Sequence, residues 1–294
     1  MKDAIKKAGV LIEALPYIQR FRDRIVVIKF GGSAMEAKAH RESILTDVAF
    51  MECVGMLPVI VHGGGKEISR GLEEKGLKAE FLHGLRVTGE SEIEVVEDVL
   101  KNRVNPRIVE ILKAAGAEAE GLNGADVFRA RKKTEKGGHK AEALDWGFVG
   151  EPTRVLTGAV KSMLKRNVIP VISPLGKGKD GRVYNINADI AAAAAARSLV
   201  AAKLVFLSDV PGLLRKREDP ESIIHTVRSS EVEKLAAEGI ITGGMLPKVA
   251  SGVGALEAGV EKIHIVDGRM RHSLLLEIFT DRGVGTEIVR HEGN

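Results

Sequence analysis

Ile25-Val-Val-Ile-Lys-Phe30 runs straight into Gly31-Gly32-Ser33. A run that is β-branched and continuous, rather than alternating, reads as a strand buried on both faces. Four more runs share this character: Leu57–Val61, Val168–Ile172, Lys203–Leu207 and Ile263–Val266. Segments of helical pattern separate them, which predicts a mainly parallel α/β sheet. Each run ends in a turn: His62-Gly63-Gly64-Gly65, Ser173-Pro174-Leu175-Gly176, Ser208-Asp209-Val210-Pro211-Gly212 and Asp267-Gly268 follow the later four. Ligands of open α/β sheets bind beyond the carboxyl ends of the strands, where these turns would lie.

Between the runs, Asp189–Ala202 is the strongest helix, with six consecutive alanines and a carboxylate at the end where the helix dipole favours it. Ser33–Glu36, Ser91–Glu94 and Ser230–Glu233 have the spacing of capping boxes. A helix over Glu231–Glu238 should stop at Gly239. Near the start, Ile5, Ala8, Ile12 and Leu15 share one helical face, and Pro16 is expected to kink or end that helix. From Gly116 to Gly150 the pattern breaks into short strand-like pieces. There Arg129–Lys140 reads as a solvated, protruding hairpin around Gly137-Gly138.

The chain has 294 residues, 44% hydrophobic and 29% charged, enough for a sizeable core and about two domains. A net charge of +4 and only eleven aromatic residues argue against a nucleic-acid platform and leave anionic metabolites as the expected partners. Cys53 is the only cysteine, which excludes an internal disulfide and a multi-cysteine zinc site and suits a reducing compartment. Neither a signal-peptide core nor an apolar window of membrane-spanning length is visible, so a cytoplasmic protein with no membrane partner is expected.

The P-loop pattern is absent: Gly65-Lys66 is followed by Glu67. Gly176-Lys-Gly-Lys-Asp-Gly181 matches the dinucleotide fingerprint literally, but no helix start follows it, and it reads as a turn. Lys29-Phe-Gly-Gly-Ser33 sets a lysine and two glycines at a strand end, either as an anion cradle or as a tight turn beside a solvent-seeking lysine. His62-Gly-Gly-Gly65 repeats the device with more glycines than a turn needs, and His62 itself can equally be a satisfied core histidine. Gly243-Gly-Met-Leu-Pro-Lys248 brings a second lysine, at a helix start that Pro247 suits. Two lysines and two glycine loops on one site would suit phosphoryl transfer, which asks a protein mainly for positioning and charge neutralisation.

In order and spacing these motifs resemble the acetylglutamate kinases of the amino acid kinase family, from about Arg24 to Val289. The stretches are KFGGSAM (29–35), VIVHGGG (59–65), GLRVT (84–88), YNINAD (184–189), LSDVPGLL (207–214), TGGMLPKV (242–249) and LLLEIFTDRGVGT (274–286). The resemblance implies an αβα sandwich with a central, mainly parallel sheet. It implies a helical arm over 1–23, an acyl-amino-acid-binding lobe over 24–188 and a nucleotide-binding lobe over 189–294. It further implies transfer of the γ-phosphoryl group of ATP, with Mg2+, to the side-chain carboxylate of N-acetyl-L-glutamate, the second step of arginine biosynthesis. By the same resemblance Lys29, Lys248 and Gly32 stabilise the phosphoryl group, and Asp189 holds the lysines. Gly64, Gly65, Arg86 and Asn185 would bind the acceptor, with Gly64 also donating to the phosphoryl group. Ser208, Asp209, Gly212 and Leu213 would join Lys248 at the nucleotide. No metal ligand is expected from side chains.

The arm resembles that of arginine-inhibited members, which assemble as hexamers made of three dimers. Tyr17, His264, Glu277 and Gly283 would then form an L-arginine site. The chain departs from the family pattern at Lys66-Glu67 (commonly Pro-Gln), at His83 (usually Asn), in the shortened Asn123–Phe128 segment, and at Pro106, Trp146 and Arg271. Two other readings remain at this point: a sibling kinase for another acylated or carrier-bound amino acid, and a non-catalytic arginine-sensing protein.

Overall fold

The computed structural model describes residues 2–82, 85–135 and 144–290. His83, Gly84 and the Gly137-Gly138 turn lie outside the described residues. The strands, in chain order, are β1 (Ile25–Phe30), β2 (Leu57–His62), β3 (Glu80–Leu82), β4 (Leu85–Val87), β5 (Ala119–Leu122), β6 (Phe128–Glu135), β7 (Leu144–Val155), β8 (Ile169–Ile172), β9 (Leu175–Gly178), β10 (Val183–Ile186), β11 (Lys203–Ser208), β12 (Thr226–Arg228), β13 (Lys262–Asp267) and β14 (Thr286–Val289). Eight form the central sheet, in the order β12-β14-β13-β11-β1-β2-β8-β5. Every pairing in it is parallel except β13 with β14.

The five apolar runs are the five adjacent strands β13-β11-β1-β2-β8, with β1 at the centre. Their interiors are closed to solvent on both faces, as a sheet covered by helices on each side requires. A second unit, β10-β7-β6-β9, closes on itself beside the sheet. Gly176–Gly181 lies in its antiparallel β9–β10 hairpin, so the dinucleotide-like pattern is indeed a turn. Arg129–Glu135 and the strand that returns after it pair antiparallel as β6 and β7.

The N-terminal helix runs from Lys2 to Phe21 and does not end at Pro16. An interior proline costs about 3 kcal/mol, but the turn beyond it is docked. Phe21 is buried beneath the Lys203 ammonium, which lies 4.8 Å from its ring, and such burial returns ~1.5–3 kcal/mol. Tyr17 donates to Asp281. The serine caps are displaced: the helix at 38–53 starts after Ala37, and that at 90–98 after Gly89. Glu231, not Glu233, reaches back to the Arg228 N–H. Gly239 does end its helix, at φ 73°. Among the described residues no helix is long and apolar enough to cross a membrane.

Candidate active site

Two helices carry the polar centre. Helix 188–199 starts at the Asn187 side chain, which accepts from the Asp189 and Ile190 N–H groups at 2.9 and 3.2 Å. This N-cap fixes Asp189 in the first turn. Ala191–Ala196 are all buried, and their small side chains let the helix pack closely against helix 245–257. Lys248, in the first turn of that second helix, thereby meets Asp189: Nζ donates to Oδ2 at 3.0 Å. From the end of β1, Lys29 Nζ lies 3.1 Å from Oδ1. Burial pushes the Asp189 carboxyl up, but the two ammonium groups outweigh it and hold it below the ordinary range. Burial and the neighbouring Lys29 push Lys248 down against the pull of Asp189.

The glycine turns after β1 and β2 lie back to back. A Cβ on Gly31 would sit 3.3 Å from the Gly63 Cα and 3.2 Å from the Lys29 Cε, and Gly63 N donates to the Phe30 carbonyl at 2.7 Å. Gly32 has φ 63°, a left-handed conformation open to glycine at little cost. His62 is the core histidine of the two readings. It is fully buried, its Nδ1 donates to the Gly63 carbonyl at 2.7 Å, and its Nε2 accepts from Asn105 at 3.1 Å. A carbonyl on one nitrogen and an amide donor on the other fix the neutral Nδ1–H tautomer. Burial pushes its pKa down to about 4.

Two clefts open on either side of this centre, and both are lined by Lys29 and Gly32. The first holds Gly64, Gly65, Arg86 and Asn185. Arg86 is buried; its Nη2 donates to the Gly65 carbonyl and to Ser69 Oγ at 2.7 Å each, while Nη1 has no partner. Among the described residues no carboxylate pairs with it, and burial alone pushes its guanidinium down. Asn185 donates to Thr88 Oγ1 at 3.2 Å. Thr88 in turn is strapped to β7: its N–H donates to the Trp146 carbonyl at 3.1 Å and its carbonyl accepts from Phe148 at 2.6 Å. Lys66 pairs with Glu36 at 2.7 Å on the wall of this cleft. The second cleft holds Ser208, Asp209, Gly212, Leu213 and Lys248. Its floor is tied down by Thr286 Oγ1, which accepts from the Leu213 N–H at 2.8 Å.

Tyr17, His264, Glu277 and Gly283 line a third, separate pocket between the N-terminal helix and the far end of the sheet. Lys203 donates to His264 Nε2 at 2.9 Å, and His264 Nδ1 donates to Glu277 Oε1 at 2.6 Å. Glu277 Oε2 accepts from the Val284 and Gly285 N–H groups at 2.8 Å each. Burial lowers Lys203 to about 8.

Asn187, Asn105, Thr88, Thr286 and Lys203 were not among the candidates. Only Asn187 carries a local signal, an N-cap residue two positions before an acidic one.

The sequence model of the amino acid kinase family matches residues 24–267. The chain is 49% identical to an acetylglutamate kinase of Heliobacterium modesticaldum over 99% of its own length and 100% of that protein's. It is 46% identical to one of Carboxydothermus hydrogenoformans, over 97% and 99%. Among solved structures it resembles an N-acetylglutamate synthase from Neisseria gonorrhoeae complexed with coenzyme A and N-acetyl-glutamate. That match has a TM-score of 0.84 and 27% identity, covering 97% of this chain and 64% of that one, so the chain spans just under two thirds of the synthase. A carbamate kinase from Giardia lamblia bound to AMP-PNP, at TM-score 0.65 and 16% identity over 91% of this chain and 99% of that one, shares the fold. The chain is a kinase and belongs to the amino acid kinase family.

Proposed function

We propose that the protein transfers the γ-phosphoryl group of MgATP to the side-chain carboxylate of N-acetyl-L-glutamate, giving N-acetyl-L-glutamyl 5-phosphate and ADP in arginine biosynthesis. The observation that carries this reading is the Lys29–Asp189–Lys248 cluster at the point where two clefts meet. Nucleotide occupies the cleft of Ser208, Asp209, Gly212 and Leu213. The acceptor occupies the other, where Arg86, a buried cation without a carboxylate, takes an acceptor carboxylate. Gly64, Gly65 and Asn185 surround it. Near-complete matches to acetylglutamate kinases support this acceptor.

The acceptor carboxylate is ionised at neutral pH, so no general base is needed. Its oxygen attacks the γ-phosphorus as the bond to the β–γ bridging oxygen breaks and ADP departs with that electron pair. The obstacle is bringing one anion up to another. Lys29, Lys248 and the N–H groups of Gly32 and Gly64 offset the charge on the transferring group, while Asp189 keeps the ammonium groups from drifting apart. Mg2+ arrives on the nucleotide phosphates and adds positive charge there.

L-Arginine is the proposed inhibitor, bound in the pocket of Tyr17, His264, Glu277 and Gly283. A fold relative from Neisseria gonorrhoeae has been solved as a complex with coenzyme A and L-arginine, at TM-score 0.79 and 26% identity. The N-terminal helix exposes Ile5, Val10, Leu11 and Ile12, each by more than half. That apolar surface supports self-association of dimers through their arms into a hexamer.

The test is hydroxamate formation from MgATP, hydroxylamine and N-acetyl-L-glutamate, with and without L-arginine. Product from the acetylated substrate but not from glutamate, suppressed by arginine, is expected. Product from a different acyl-amino acid alone would move the assignment to a sibling kinase, and none from any would favour a binding protein.

A further inference from the structure

Behind the acceptor cleft, helix 38–53, helix 65–74 and the helical stretch 99–114 enclose a cavity of about 210 Å³. Four arginines line it: Arg41, Arg70, Arg103 and Arg107. Two carboxylates face them. Glu74 is spent on Arg103 at 2.7 Å, and Arg103 also lies 3.6 Å from Asp98. Arg70 and Arg107 make no ion pair among the described residues, and Glu67, whose charge acts on Arg41, is the other carboxylate lining the cavity against four guanidinium groups.

Arg41 is only 5% exposed. One of its nitrogens, Nη1, donates to the Met35 carbonyl at 2.6 Å and, at 3.4 Å, to that of Glu36; Nε has no partner. Burial pushes this guanidinium down and the nearby Arg107 adds to that, against the pull of Glu67 and Glu42. A desolvated cation set near a second cation, with a donor unspent, is an unfavourable arrangement that an anion relieves.

We propose that this cavity is a second anion site, taking a small, multiply charged oxyanion: inorganic phosphate or a compact polycarboxylate. Guanidinium forks match both chemistries. The volume lies below the ~300–1,000 Å³ of sites for drug-sized ligands, which favours a small occupant. The cavity shares Met35 and Glu67 with the acceptor cleft, so an occupant would lie against one of its walls. The site does not depend on which substrate the clefts take.

Calorimetric titration of the full chain with inorganic phosphate and, separately, with citrate tests this. Saturable binding is expected for at least one anion. The doubly substituted Arg70→Ala/Arg107→Ala protein should bind at least about tenfold more weakly. Both arginines are exposed at the rim, so its melting temperature should stay near that of the parent. Lys248→Ala and Lys29→Ala, which remove cations of the two clefts, should leave this binding within about twofold. Tighter phosphate binding would assign a phosphorylated ligand, and tighter citrate binding a polycarboxylate. No saturable binding of either anion would overturn the site, as would binding that survives in the double variant or disappears with Lys248→Ala.

Discussion

Asp189 Oδ2 accepts a hydrogen bond from Lys248 Nζ at 3.0 Å, joining the first turns of two neighbouring helices, while the other carboxylate oxygen faces Lys29 at 3.1 Å. One carboxylate therefore sets the spacing of two ammonium groups that would otherwise repel. Asp189→Asn keeps the shape and removes the charge. It should lower kcat about hundredfold, the scale on which losing one preorganised electrostatic group acts, while KM for MgATP moves less than tenfold. Steady-state kinetics of the purified variant checks this.

Arg86 Nη2 donates to the Gly65 carbonyl and to Ser69, and the guanidinium has no carboxylate partner among the described residues, which suits the proposed role at the acceptor. Arg86→Lys retains the charge but not the fork. We expect KM for the acylated acceptor to rise roughly ten- to hundredfold, the value of one charge-assisted hydrogen bond, with kcat changed far less. An equal fall in kcat would mean that Arg86 acts at the transition state instead.

His62 makes stability depend on pH. Its folded pKa of about 4 lies below its ordinary value of 6.5, so the unfolded chain binds the proton more readily. Stability is therefore lost as pH falls through the window from 6.5 to 4, and the His62 share between pH 7 and 5 is about 2 kcal/mol. Urea titrations at the two pH values should show this loss in the parent chain and a visibly smaller one in His62→Gln.

Val200 ends helix 188–199 with φ 52°, a left-handed conformation costly for a β-branched residue, and the residue is 69% exposed. Little packing is at stake there. Val200→Asn should stabilise the protein by about 1 kcal/mol, read as a higher urea midpoint at unchanged slope.

The core of the fold was legible because its five central strands are buried on both faces and so are apolar without interruption. The sheet margins were not. Ala119–Leu122, Thr226–Arg228 and Thr286–Val289 are three or four residues long and carry polar side chains, so tertiary position rather than pattern makes them strands. Lys29, Lys248 and the glycine turns could be picked out because each sits at a strand or helix end, where local sequence fixes geometry. The partnership of Asn105 with His62 joins residues 43 apart, and that of Thr88 with Asn185 residues 97 apart. Nothing local records either. Pro16 does not end the helix, for a related reason: its penalty is local, while the burial of Phe21 that offsets it depends on the rest of the chain.

In the proposed reaction an acceptor carboxylate attacks the γ-phosphorus at the Lys29–Asp189–Lys248 cluster. Its most direct measurement uses N-acetyl-L-glutamate labelled with ¹⁸O in both side-chain carboxylate oxygens, MgATP and hydroxylamine, with the released phosphate examined by ³¹P NMR. Hydroxylamine cleaves the acyl phosphate at carbon, so the bridging oxygen leaves with phosphorus. Phosphate carrying one ¹⁸O per molecule is the predicted result. Unlabelled phosphate would mean that water, not the carboxylate, takes the phosphoryl group, and would exclude the proposed reaction.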